Sequence, residues 1–187
     1  MWLTASAALV APAARADDAV RSYLDQTTAA TITVAVQTFV FARERTDLAV
    51  NARDYISLVP IEVNRSGQRA YYWFGYAWST IDRRDQNPIV TASDELVLVA
   101  DGRPIRLQRA TTPSRELGLA TPPTPSPARA AVAVLCPTDA EILNYVGAAA
   151  ELHVQLIRDG QGEDFLPWRD ARAALNAFVS TLGLAAQ

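Results

Sequence analysis

Three side chains have the types that nucleophilic chemistry needs: Cys136, Asp139 and His153. A thiolate, a base and an orienting carboxylate work together only when they lie within hydrogen-bond reach of one another. Cys136 precedes an expected helix start, where the helix dipole lowers a thiol pKa. His153 falls on the polar side of an expected strand, and nothing in the spacing brings it to Cys136. A lone cysteine is usually a buried packing group. No catalytic residue is therefore assigned, and a Cys-dependent enzyme stands only as a minor alternative. One Cys and one His are too few soft ligands for a closed zinc site. Asp159, Glu163 and Asp164 surround the Gly160-Gln161-Gly162 turn, but their spacing is not that of an EF-hand loop. The chain has no H-E-x-x-H, Walker loop, G-x-S-x-G elbow or paired C-x-x-C. No metal and no cofactor is expected.

The aromatic side chains offer a different chemistry, stacking on sugar rings or partner side chains with polar tips left to hydrogen-bond. Six of them crowd into Tyr71-Tyr72-Trp73-Phe74-Gly75-Tyr76-Ala77-Trp78. Read as a strand, this run places Tyr72, Phe74, Tyr76 and Trp78 on one face and Tyr71, Trp73, Gly75 and Ala77 on the other. Four buried aromatics supply an upper bound of about 15–25 kcal/mol of gross stabilisation at ~25 cal/mol/Å². The Tyr72 face is thus expected to be core. Tyr71 and Trp73 on the opposite face, together with Trp168, are the candidate ligand- or partner-binding residues.

The bulk composition narrows the setting of these residues. The chain has 187 residues, half of them hydrophobic and a fifth charged, with a net charge of −3. That suits one ordinary globular domain able to bury its own core. Mild acidity with no basic cluster argues against nucleic acid and anionic lipid as partners. Every basic residue is Arg, and these are scattered rather than clustered. Residues 1–16 read as an export signal: an apolar run from Trp2 to Ala11, Pro12, then Ala14-Arg15-Ala16 before Asp17-Asp18. No basic residue precedes the run, so the true start can lie upstream. No later stretch is long and apolar enough for a transmembrane helix.

The remaining elements follow from periodicity. Arg21 to Gln26 suggests one helical turn. Thr31 to Thr38 alternates as a half-buried strand running on to Phe41. Tyr55 to Val63 and the aromatic run form a hairpin around Asn64-Arg65-Ser66-Gly67, with Pro60 marking an edge or bulge. Asn64-Arg65-Ser66 matches a glycosylation pattern by coincidence. Asp82-Arg83-Arg84-Asp85 reads as a solvated loop. Asp101-Gly102 is the tight turn of a second hairpin, with an edge strand at Pro104. Residues 110–130 are Pro-rich and read as a long surface excursion within one domain. A short strand ends at Cys136-Pro137, and Thr138 to Glu141 forms a capping box for a helix that stops at Gly147. A hairpin follows around Asp159-Gly160, and a last helix spans Asp170 to Leu182, closed by Gly183.

The pattern predicts a mainly β (α+β) fold: an antiparallel β-sandwich or open barrel of seven to eight strands with two short helices in the C-terminal third. Residues 17–187 form a single β-rich domain. The function expected is that of an exported, periplasmic or secreted, non-enzymatic binding or assembly module of the cell envelope. Its partner is an envelope protein or a glycan. A carbohydrate-binding module using exposed aromatics is the alternative.

Overall fold

The computed structural model describes residues 19–81 and 89–184. The export signal expected at residues 1–16 and the loop at Asp82-Arg83-Arg84-Asp85 lie outside the described residues. Ten strands and two helices follow in chain order: β1 (Val20–Asp25), β2 (Ala30–Ala35), β3 (Phe39–Glu44), β4 (Arg53–Arg65), β5 (Gln68–Ser79), β6 (Glu95–Ala100), β7 (Arg103–Leu107), β8 (Val132–Thr138), α1 (Ala140–Ala148), β9 (Leu152–Arg158), β10 (Gln161–Arg169) and α2 (Arg172–Thr181). The mainly β character and the two C-terminal helices are as predicted.

The sandwich or open barrel is corrected. All ten strands join one open antiparallel sheet, ordered β1-β2-β4-β3-β10-β9-β6-β7, with β5 on β4 and β8 on β5. Two strands explain this continuity. β5 pairs with the whole length of β4, while β2 and β3 share the other edge of β4: β3 along Arg53 to Leu58 and β2 along Ile61 to Asn64. β10 pairs with β9 over Gln161 to Phe165, then passes to β3 from Leu166 onward. Ladders are handed from partner to partner without a break, and among the described residues no ladder joins β7 to β8 to close the sheet. Pro60 is also explained. It is not on a sheet edge but falls between the end of β3 pairing at Leu58 and the start of β2 pairing at Ile61, where no donor is lost on that side.

Local chemistry sets the hairpins. Ser66 and Gly67 have φ of 52° and 89°, and Asp101 and Gly102 have 47° and 76°. Positive φ at both central residues is the two-residue turn whose twist matches paired strands. Asn64 Oδ1 accepts from the Gly67 N–H at 3.0 Å, so the Asn of the glycosylation pattern is a turn residue. Five details differ from the sequence reading. The segment expected as a helical turn near Arg21 is strand β1. The strand expected from Thr31 to Phe41 breaks at Val36, whose N–H donates to the Ala19 carbonyl at 2.8 Å. β8 continues through Cys136-Pro137, and Asp139 rather than Thr138 caps α1, accepting from the Ile142 N–H at 2.8 Å. Gly147 lies inside α1, where a Cβ would meet Asn176 Oδ1 at 2.2 Å, so it permits the close approach of α2.

Residues opposite one another in a ladder share a face. Tyr72, Phe74, Tyr76 and Trp78 therefore lie with Ile61, Val59, Ser57 and Tyr55. The first three of these aromatics are buried, and the expected core role of that face holds. It is the 110–130 excursion that lies over it. Tyr76 Oη donates to the Thr124 carbonyl at 3.0 Å, and Arg21 donates to the Pro123 carbonyl at 2.8 Å. The opposite face carries Phe39, Phe41, Ile56, Leu58, Trp73, Ala77 and Cys136, all buried. Helix α2 packs on α1 and against β1, β2 and β4.

Candidate functional site

Exposed Trp168 meets two half-buried aromatics at the far end of the β4–β5 hairpin. Counting back from the Ser66-Gly67 turn, the register sets Tyr55 opposite Trp78, and their rings stack at 5.1 Å with planes 15° apart. Trp168 joins them through an irregularity of β10. Pro167 pairs with Phe41 and Arg169 with Val40, so Trp168 is an extra residue in the ladder. Such a bulge leaves its residue unpaired and re-aims the side chain. The Trp168 ring is 58% exposed and meets the Tyr55 ring edge-on at 6.1 Å. The Arg53 guanidinium lies over it, 5.0 Å from the ring centroid. An exposed cation–π pair of this kind is worth about 0.5–1 kcal/mol and limits the ring's motion.

A groove of about 540 Å³ runs beside these rings. Ser57 and Tyr76 line it from the sheet, and Thr124, Pro125 and Pro127 line it from the Pro-rich excursion. The Tyr76 hydroxyl bonded to Thr124 ties this part of the excursion to the sheet. The arrangement offers flat aromatic faces, hydroxyls and an arginine: what is needed to stack on a ring and orient it by hydrogen bonds. On the other side of Arg169 lies a hollow of about 340 Å³ lined by Phe39, Phe41, His153, Leu166 and Asp170.

The three aromatics singled out in the sequence do not come together. Trp73 is 0% exposed, with the Phe39 ring edge-on at 6.2 Å, and it is corrected from a binding candidate to a core residue. Its face is filled by the sheet's own packing partners, which alternation within one strand cannot reveal. Tyr71 is half-buried with Arg69 over its ring at 5.7 Å, and burial pushes its hydroxyl pKa up. Trp168 alone is well exposed. Tyr55, Trp78, Arg53 and the Thr124–Pro127 wall were missed. The signal for the first two was present, since a two-residue turn at Ser66-Gly67 sets their pairing.

The nucleophile candidates serve separate local ends. Cys136 is fully buried, its thiol donates to the Leu107 carbonyl at 3.6 Å, and burial pushes its pKa up to about 11 despite nearby Arg109. A thiol in that state is not a thiolate at neutral pH. Asp139 caps α1, and His153 lies opposite Val99 in the β6–β9 ladder, 4.0 Å from Asp164. Among the described residues no cluster of three His, Cys, Asp or Glu side chains could hold a metal ion, and no helix is long and apolar enough to cross a membrane. No known protein family, curated protein or solved structure matches this chain.

Proposed function

We propose that this chain is a non-enzymatic binding module of the cell envelope whose ligand is a glycan held along the Tyr55–Trp78–Trp168 groove. One observation carries the reading: a bulge in β10 holds Trp168 out of the ladder, exposed, beside two further aromatic rings. Ring stacking supplies affinity, and Arg169 and Thr124, which line the groove, supply the polar contacts that orient hydroxyl groups. The export signal read at residues 1–16 accounts for the envelope setting. The buried, protonated Cys136 thiol supports a non-enzymatic role over a Cys-dependent one.

The test is a titration with soluble oligosaccharides of cell-wall and exopolysaccharide type, followed by intrinsic tryptophan fluorescence. Wild type is expected to show a saturable change. Trp168→Ala should weaken binding at least tenfold, or about 1.4 kcal/mol. An emission unchanged across the panel would sink the glycan reading. A protein partner is the second reading, favoured by Val36, which lines the groove and is 55% exposed.

A further inference from the structure

Three strands end the branches of the sheet and keep one edge outward: β1, β7 and β8. In an antiparallel ladder alternate residues turn both backbone groups toward the partner strand, and the residues between turn them away. The two-residue turn at Asp101-Gly102 makes Ala100 and Arg103 a hydrogen-bonded pair, so Pro104 and Arg106 of β7 face outward. On β8 the Leu135 carbonyl accepts from the Ala110 N–H, so Ala133, Leu135 and Pro137 face outward. Each of these two edges is blunted by a proline with no N–H to offer, and β8 is further covered by the start of the Pro-rich excursion.

β1 is different. The Val36 N–H donates to the Ala19 carbonyl, and the same pairing continues two residues at a time, Arg21 with Val34 and Tyr23 with Ile32. Val20, Ser22 and Leu24 therefore turn their N–H and C=O groups away from β2. Among the described residues no backbone hydrogen bond reaches these three from outside the ladder. β1 contains no proline, and the excursion holds side chains of this strand rather than its edge: Arg21 through the Pro123 carbonyl and Asp25 through the Ala120 N–H. Ser22 is exposed, and Leu24 is 61% exposed. An open edge of this kind is a template for a further strand.

We propose that β1 pairs antiparallel with β1 of a second copy of this chain, Ser22 opposite Ser22, so that one sheet runs through both. The strand is self-complementary in that register. Val20 meets Leu24 of the second copy, Ser22 meets Ser22 and Leu24 meets Val20, so all three outward residues are paired. A shift of two residues either way sets one of them opposite a position outside β1. Exposed Leu24 is then covered by an apolar neighbour. Arg21, whose guanidinium lies 5.6 Å from its own Tyr23 ring, meets the Tyr23 ring of the second copy, and no like charges are opposed. One strand of six residues makes less than a standard interface of roughly 1,600 Å², so the dimer is weak and concentration-dependent.

Sedimentation velocity of the full chain, from micromolar to submillimolar concentration, is expected to show a reversible monomer–dimer equilibrium. Ser22→Pro removes an outward N–H without touching the backbone bonds to β2, and should weaken the dimer at least tenfold with an unchanged far-UV spectrum. Should Ser22→Pro fail to fold, Leu24→Lys carries the same comparison, because it sets a charge against Val20. Trp168→Ala should dimerise as wild type does, which separates this edge from the aromatic groove. Ser22→Cys should be joined to itself by a short bismaleimide, since Cys136 is buried, whereas exposed Ser93→Cys, beside β6, should not. A monomer at every concentration, a dimer weakened by neither edge substitution, a dimer lost in Trp168→Ala, or one that Ser22→Cys does not cross-link would each overturn the proposal.

Discussion

Two tryptophans show how far one residue type can diverge. Trp73 and Trp168 both sit on strands and both looked like binding candidates. Trp73 is enclosed on the face shared by Phe39, Leu58 and Cys136, and even its indole N–H lacks a partner. Trp168 stands outside the ladder in solvent. Their truncations should differ accordingly. Trp73→Ala is expected to cost about 3–5 kcal/mol by urea unfolding, from lost burial plus the cavity left behind. Trp168→Ala should fall within about 0.5 kcal/mol of wild type in the same experiment, while losing the ligand-induced fluorescence change. A large stability loss in Trp168→Ala would mean that the groove is part of the core and not a site.

At the scale of elements, turn chemistry and strand length do most of the organising. The Ser66-Gly67 and Asp101-Gly102 turns are legible in the sequence because positive φ selects few residues. The start of β1 is less so, because an end strand with one solvent face carries Arg21, Ser22 and Leu24 in no helical or strand period. The start of β6 depends on a contact distant in sequence. Arg158, at the end of β9, grips both oxygens of buried Asp94 at 3.0 and 2.7 Å, and the Thr91 N–H adds a third bond at 2.7 Å. The Arg158 hydrogen bonds, opposed by burial and helped by Thr91, hold the Asp94 carboxyl at about 2, below its usual 3.8. A carboxylate with a lowered folded pKa adds stability above the ordinary range and loses it as pH falls through the folded value. This tie should contribute about 2 kcal/mol at neutral pH, with the loss falling between about pH 5 and pH 2. Unfolding free energies of wild type and Asp94→Asn should therefore differ at pH 7 and converge toward pH 2. A gap independent of pH would show that the carboxylate's charge is not what holds β6 to β9.

For the molecule as a whole, the Pro-rich excursion is a strap across the aromatic face. Its contacts are distributed: Arg65 donates to the Glu116 carbonyl, Thr28 to that of Gly118, and Arg21 to that of Pro123. Gly118 has φ of 101°, and a Cβ there would lie 2.7 Å from Val63 Cγ1, so only glycine lets the strap lie this close. Asp25 is the clamp. Its carboxylate accepts the Ala120 N–H at 2.8 Å and the Thr27 N–H at 3.0 Å. Burial raises its pKa, but the amides of Ala120, Thr27 and Thr28 outweigh burial and leave it below the ordinary value. The clamp should thus hold above the usual carboxylate range and weaken as pH falls below it. Asp25→Ala is expected to speed amide exchange at Ala120 and to expose residues 113–127 to proteolysis. Unaltered exchange at Ala120 would place the strap's hold elsewhere. Because the strap also walls the groove at Thr124 and Pro125, its release should weaken glycan binding as well.

By itself the sequence determined the mainly β class, most hairpins, the two late helices and the burial of the Tyr72 face. These rest on local periodicity and on turn residues whose conformations few side chains can adopt. Which elements cover each face was left to the tertiary structure. Alternation says that Trp73 points away from Tyr72, but not that packing from distant parts of the chain will meet it. The β10 bulge that exposes Trp168 and the strap that walls the groove both arise from long-range ladders and contacts. Their registers depend on the whole set of strands, so one strand's residues cannot specify them.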